Sequence, residues 1–130
     1  TALAFVLTIE SPRRFKKNRS VGPFLGLTPK RDQSGETDKP LSITKAGNGH
    51  MRRLLMNAAN YILGPFGPKC DLRSFGERIS ARGGKVAKRR AKTAVARKLA
   101  VLMLSLWKSG QDYEPFHRSK GGEVKKNEAA

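Results

Sequence analysis

Acidic residues are scarce in this chain. Ten Asp and Glu stand against 27 Lys and Arg over 130 residues, a net charge of +17. Such an imbalance says little about fold and much about partners, and it points to a polyanion: DNA, RNA or an anionic membrane surface. Charge alone leaves open a ribosome-like or merely soluble basic protein. Cysteine is nearly absent too. With Cys70 as the single cysteine, no disulfide framework forms within the chain, which fits a reducing cytoplasm. The two histidines, His50 and His117, lie far apart, and neither has a second ligand at zinc-like spacing. Long apolar runs are missing as well. Thr1 to Ile9 is apolar, but it is far shorter than the ~20 residues of a membrane span. No basic region precedes it, so it does not read as a signal peptide. The first residue is Thr1 rather than Met, inside what reads as an apolar helix, so an amino-terminal portion is expected to precede it.

What is present suits one small, mainly α domain. Ala2 to Ile9 reads as a short buried helix. Ser11-Pro12 breaks it, because the residue before proline resists helix. Arg13 to Arg19 packs five cations into seven residues, with Phe15 among them as an anchor to the core. Ser20 suits an N-cap, followed by a short helix lined by Val21, Phe24, Leu25 and Leu27. Gly26 to Gly49 is loop-like, with Leu41 to Thr44 as a brief strand. Loops longer than ~12–15 residues inside a small domain are usually functional or disordered, so chemistry is expected there first. Asn48 caps a helix running to Leu63, with Met51, Leu54, Leu55, Ala58, Ala59 and Ile62 at helical spacing. Asp71 is expected to cap a helix from Leu72 to Ala81. Gly83-Gly84 then separates it from a long terminal helix, Lys85 to about Ser109. From 117 to 130 the chain reads as a disordered polar tail.

At about 100° per residue, Val95, Leu99, Leu102 and Leu106 form one stripe of the long helix. Extended backward, the stripe meets Lys88 and Lys92, with Lys85 and Arg89 beside them. That half either protrudes towards an anionic partner or is a solvated, charged helix end. Tyr61, Phe66 and Trp107 read as core rather than as base-stacking platforms, and Asn57 and Asn60 as solvent-facing.

The loop carries the most suggestive residues. Gly26-Leu27-Thr28-Pro29 leads to Gln33-Ser34-Gly35, then to Thr44-Lys45, Gly47-Asn48 and Arg52-Arg53. Lys45 and Arg52 are expected to contact phosphate, since Arg can clamp it through two nitrogens and Lys acts as a point charge. Lys30, Arg31 and Arg53 either do the same or form a solvated basic surface. The helix start at Asn48 favours an anion as well. Ser34 by spacing alone is an ordinary turn residue.

Taken in order, Arg14-Phe15, Ser20-Val21-Gly22, Gly26 to Pro29, Gln33-Ser34-Gly35, Lys45, Gly47-Asn48, Arg52, Ala58-Ala59, Ala96 to Ala100 and Trp107 resemble a known family. It is the carboxyl-terminal transposase domain of the bridge-RNA-guided insertion-sequence recombinases, relatives of the Piv-type DNA invertases. The resemblance runs from about Phe15 through Phe116, so residues 1–116 are read as that serine-bearing domain without its amino-terminal partner. It implies that Ser34 is the nucleophile attacking a DNA phosphodiester to form a phosphoserine link. It implies Mg2+ held by four carboxylates of an RuvC-like amino-terminal domain, with no cofactor in this chain. The partners it implies are DNA, a guide (bridge) RNA and further copies in a homo-oligomer. The location it implies is cytoplasmic, prokaryotic and nucleoid-associated. Two departures stand out. The carboxylate domain is not in this sequence; Asp32, Glu36 and Asp38 crowd the loop but do not replace it. Thr44 stands where the family often has Ser. Alone, the chain is therefore expected to be inactive, and a non-catalytic nucleic-acid-binding fragment is the alternative.

Overall fold

The computed structural model describes residues 1–29 and 43–117. The mainly α expectation holds. Among the described residues five α-helices follow one another: α1 (Ala2–Ile9), α2 (Val21–Phe24), α3 (Gly49–Leu63), α4 (Asp71–Ser80) and α5 (Gly84–Ser109). Two 3-10 turns, Pro12–Arg14 and Asn18–Ser20, link α1 to α2. The long helix is the spine: at 26 residues it spans roughly 39 Å, and α2, α3 and α4 all pack on it. Among the described residues the expected strand is reduced to an isolated antiparallel bridge between Pro29 and Ile43.

The core joins Phe5 and Ile9 of α1, Val21, Leu25 and Leu27 around α2, Met51, Leu55 and Ala59 of α3, and Val95, Ala96, Ala100 and Leu104 of α5. The α3 positions recur every fourth residue, as the sequence pattern predicts. The α5 stripe differs from the expected one. Its buried residues fall in two rows of four-residue spacing, Ala87-Ala91-Val95 and Ala96-Ala100-Leu104. Leu99, Leu102 and Leu106 are only half-buried. Alanine carries little hydrophobic weight in a sequence pattern, yet its small side chain lets neighbouring helices approach closely. The second row, extended backward, reaches Lys92 and Lys88, both exposed. One face of α5 thus passes from core to cations, while the first row keeps the other face buried.

Close approach also explains Gly76. A Cβ there would lie 2.5 Å from Leu63 Cδ2 and 2.7 Å from Val95 Cγ2, so any larger residue would push those side chains aside. The basic segment before α2 is tied down as expected of Phe15. Its ring meets Phe24 edge-on at 5.2 Å, and Lys108 Nζ donates to its carbonyl at 2.6 Å.

Several local expectations change. The α1 helix is not buried all round: Phe5 and Ile9 face the core, whereas Leu3 is 72% and Leu7 68% exposed. Eight residues make about two turns, too few to be enclosed by the α3 contact on one side. Ser20 makes no capping bond, because it is itself part of the 3-10 turn. Cys70, not Asp71, is the N-cap of α4. Asp71 lies in the first turn, where its charge suits the helix dipole, and its N–H donates to Pro115 O at 2.8 Å. Tyr61 and Phe66 are exposed, the second at 87%. Tyr61 lies on the outer side of α3, and Phe66 in the turn that follows. Trp107 does pack against the core, and Asn57 and Asn60 face solvent.

The carboxyl end of α3 is held by Arg73. Its Nη1 lies 3.0, 2.6 and 3.1 Å from the carbonyls of Ile62, Gly64 and Gly67, while Nε donates to Glu77 Oε1 at 2.8 Å. These carbonyls have no partner within the helix, and a cation suits that end of the dipole. Arg73→Ala is expected to lower stability by about 1–3 kcal/mol. Arg73→Lys should recover only part of it, because one ammonium cannot span both the carbonyls and Glu77. Urea unfolding of the three proteins measures both. Equal midpoints for wild type and the alanine variant would remove Arg73 as the clasp.

Candidate nucleic-acid interface

Ser34, Lys30 and Arg31 lie outside the described residues, as do 118–130. The described chain stops at Pro29 and resumes at Ile43, and both ends are clamped in a narrow neck. The Pro29–Ile43 bridge stands at the top. Below it Thr44 N–H donates to Thr28 O at 3.0 Å and Lys45 N–H to Gly26 O at 3.2 Å. Left-handed backbone makes the crossing possible: Gly26 has φ 71°, Lys45 56° and Gly47 75°. Glycine takes such angles freely, but a lysine there is uncommon. Gly26 and Gly47 also have no room for a side chain. A Cβ on Gly26 would lie 2.4 Å from Ala46 N, and one on Gly47 2.4 Å from Phe24 O.

Arg52, expected on phosphate, is engaged in the neck. Its Nη1 lies 3.2 Å from Leu25 O and 2.8 Å from Ala46 O, one carbonyl from each side of the crossing. Asn48 is likewise occupied, its Oδ1 accepting from Met51 N–H at 3.0 Å as the cap of α3. Lys45 and Arg53 are exposed.

Beside the neck runs a groove of about 620 Å³ between α3 and α5. Pro29, Ile43, Met56 and Val86 supply apolar lining, and Arg89, Arg90, Lys92 and Arg97 supply four cations, with no acidic residue in the lining among the described residues. None of the four is held in an ion pair by an acid of the described residues. Of the expected α5 cations, Arg89 and Lys92 line this groove, whereas Lys85 and Lys88 are exposed outside it. Arg90 and Arg97 join it although periodicity does not single them out, Arg97 lying within the Ala96 to Ala100 motif. Arg97 reaches it because Gly22 lacks a side chain: a Cβ there would lie 3.0 Å from Arg97 Cγ and Cδ. That pairing joins residues 75 positions apart, beyond the reach of periodicity.

A second groove, of about 750 Å³, lies between α4, α5 and the segment after α5. Asp71, Glu77 and Glu114 face Arg78, Lys98 and His117 there, so it offers no field of one sign. Burial, then the adjacent Cys70, then Asp71 and Glu114 hold the Tyr113 phenol above its usual range. Among the described residues no group of three or more His, Cys, Asp or Glu stands together as a metal would require. The residues described therefore do not fit a divalent-metal site, and no helix among them is long and apolar enough to cross a membrane.

A small helical domain with a clamped loop neck and a cationic groove is the class that this fold and site define. The chain belongs to the Transposase IS116/IS110/IS902 family, whose model matches residues 1–69, from α1 through α3. It is similar to y4qE of Sinorhizobium fredii, which bears a transposase's name, with 40% identity over 58 residues, 45% of this chain and 15% of that protein. It is similar also to the transposase for insertion sequence element IS1111A of Coxiella burnetii, with 32% identity over 74 residues, 57% of this chain and 20% of that protein. The matched stretch thus spans a fifth or less of either relative's length. No solved structure matches the chain.

Proposed function

We propose that this chain is the serine-bearing, DNA-binding domain of an insertion-sequence transposase, residues 1–116 forming the domain. The α3–α5 groove and the exposed cations Lys45, Arg53, Lys85 and Lys88 hold nucleic acid, and Ser34 is the nucleophile. One observation carries the binding half of this reading: four cations, with no acid beside them among the described residues, line a groove that Pro29 and Ile43, the two ends of the Ser34 segment, also border. The serine half rests on the Gln33-Ser34-Gly35 resemblance together with membership of a transposase family. Ser34 Oγ attacks a DNA phosphorus, an Oγ–P bond forms, and the P–O bond to the departing deoxyribose oxygen breaks. The serine proton leaves to a base, and the departing oxygen takes up a proton. Carboxylates for Mg2+ come from another segment, the RuvC-like domain of the full protein. Guide RNA and further copies of the protein complete the assembly. Alone, the chain binds and does not cleave.

Salt titration tests the binding half. Each phosphate neutralised contributes about −0.9 to the slope of log K against log salt on duplex DNA, so four contacts give roughly −3.6. The expected slope is at least that steep. A slope near zero, or no binding at low salt, would overturn the reading.

A further inference from the structure

The groove is not built like a surface that only follows phosphates. Its cations stand over apolar lining: Pro29 is exposed, Ile43 and Met56 are half-buried, Val86 is 61% exposed, and Leu27 closes the bottom at 1%. The convex backbone of a duplex presents sugars and charged oxygens and leaves such lining in water. An unstacked base has an apolar face that can cover it, and arginine guanidinium planes stack on bases as readily as they pair with phosphates. Size agrees. At about 620 Å³ the groove falls within the ~300–1,000 Å³ of sites that enclose a single ligand-sized group. A duplex can bring phosphates to the cations at the groove's rim without placing a base against the apolar lining.

We propose that the α3–α5 groove seats one or two unpaired nucleotides of a nucleic-acid strand. The base lies against Pro29, Ile43, Met56 and Val86, and the flanking phosphates lie on Arg89, Arg90, Lys92 and Arg97. This inference rests on the nucleic-acid reading above and narrows it to the unpaired strand. Where a nucleotide leaves the stack, the energy of unpairing is offset if the protein offers the base a surface. Charge complementarity selects a polyanion as the occupant, and the apolar floor selects its unpaired form.

The test uses the full chain and fluorescence anisotropy at one salt concentration. The probes are a 12-nucleotide DNA strand, its RNA equivalent and a blunt DNA duplex of that length. Either strand, or both, is expected to bind at least fivefold tighter than the duplex, although the duplex carries more charge. A stronger DNA or RNA signal identifies the source of the strand. Val86→Asn, a neutral change at an exposed site, should weaken strand binding at least fivefold and duplex binding less than twofold. Met56→Gln is the second variant, with thermal melting to confirm that each is folded. Lys92→Gln should weaken strand and duplex alike. Equal or tighter duplex binding by the wild type, or equal losses on strand and duplex in both apolar-lining variants, would overturn the inference and leave the binding reading intact. Loss of binding to every probe would overturn both.

Discussion

Ser34→Ala is expected to abolish the covalent protein–DNA adduct. The alanine methyl has no oxygen to form a phosphoester, so no slow residual route through the same atom remains. Strand exchange should fall by at least about a thousandfold, as it does when an enzyme loses its nucleophile. The measurement supplies the full-length transposase with metal, guide RNA and DNA, then separates covalent adducts on a denaturing gel. Ser34→Cys is the informative companion, since a thiolate is itself a nucleophile and keeps an attacking atom in place. An adduct of normal yield from the alanine variant would move the nucleophile elsewhere in the chain. The salt-dependent binding would survive that outcome, because the groove cations and the serine make separate contributions.

Gly26→Ala is expected to be among the most damaging single-methyl changes in the described fold. Two costs coincide there. The residue has φ 71°, a left-handed angle that costs a side-chain-bearing residue roughly 1–2 kcal/mol. The new Cβ would also lie 2.4 Å from Ala46 N, 2.5 Å from Ala46 O and 2.8 Å from Lys45 C. Those are backbone atoms of the opposite side of the neck, and they cannot swing aside as a side-chain tip does. A total loss of about 2–4 kcal/mol follows, a large part of a small domain's stability. Gly110→Ala is the matched control. Its φ is 68°, also left-handed, yet nothing lies within 4 Å of its Cβ position, so only the roughly 1–2 kcal/mol of backbone strain applies. Urea unfolding of the two variants isolates the steric part. If Gly26→Ala is no costlier than Gly110→Ala, the neck is not closely packed in solution.

Much of the fold is legible in the sequence because helices announce themselves locally. Asn48, Gly64, the Gly83-Gly84 pair and Gly110 bracket three helices, and the fourfold recurrence of Met51, Leu55 and Ala59 marks the inner face of α3. The misreadings share one cause. The alanines of α5 carry little hydrophobic weight and yet form its buried rows. Leu3, Leu7, Tyr61 and Phe66 are strongly apolar and stay largely in water. Pattern measures a residue's preference, whereas burial depends on whether another element covers it.

The candidate site divides the same way. Composition by itself pointed towards a polyanion as partner, since a charge of +17 needs no fold to attract one. The family resemblance singled out Ser34, which spacing alone leaves an ordinary turn residue. Only the tertiary structure decided which cations work together. Arg89, Arg90 and Lys92 meet Arg97 in one groove because Gly22 leaves room for the arginine stem and the two ends of the loop meet at the Pro29–Ile43 bridge. It also decided that Arg52 and Asn48, both natural candidates for phosphate, are engaged in holding the neck and capping α3. The reason is physical. A charge acts through space, and a cap acts within one turn of chain, so both can be read from sequence. A groove exists only where residues far apart in the chain are packed side by side.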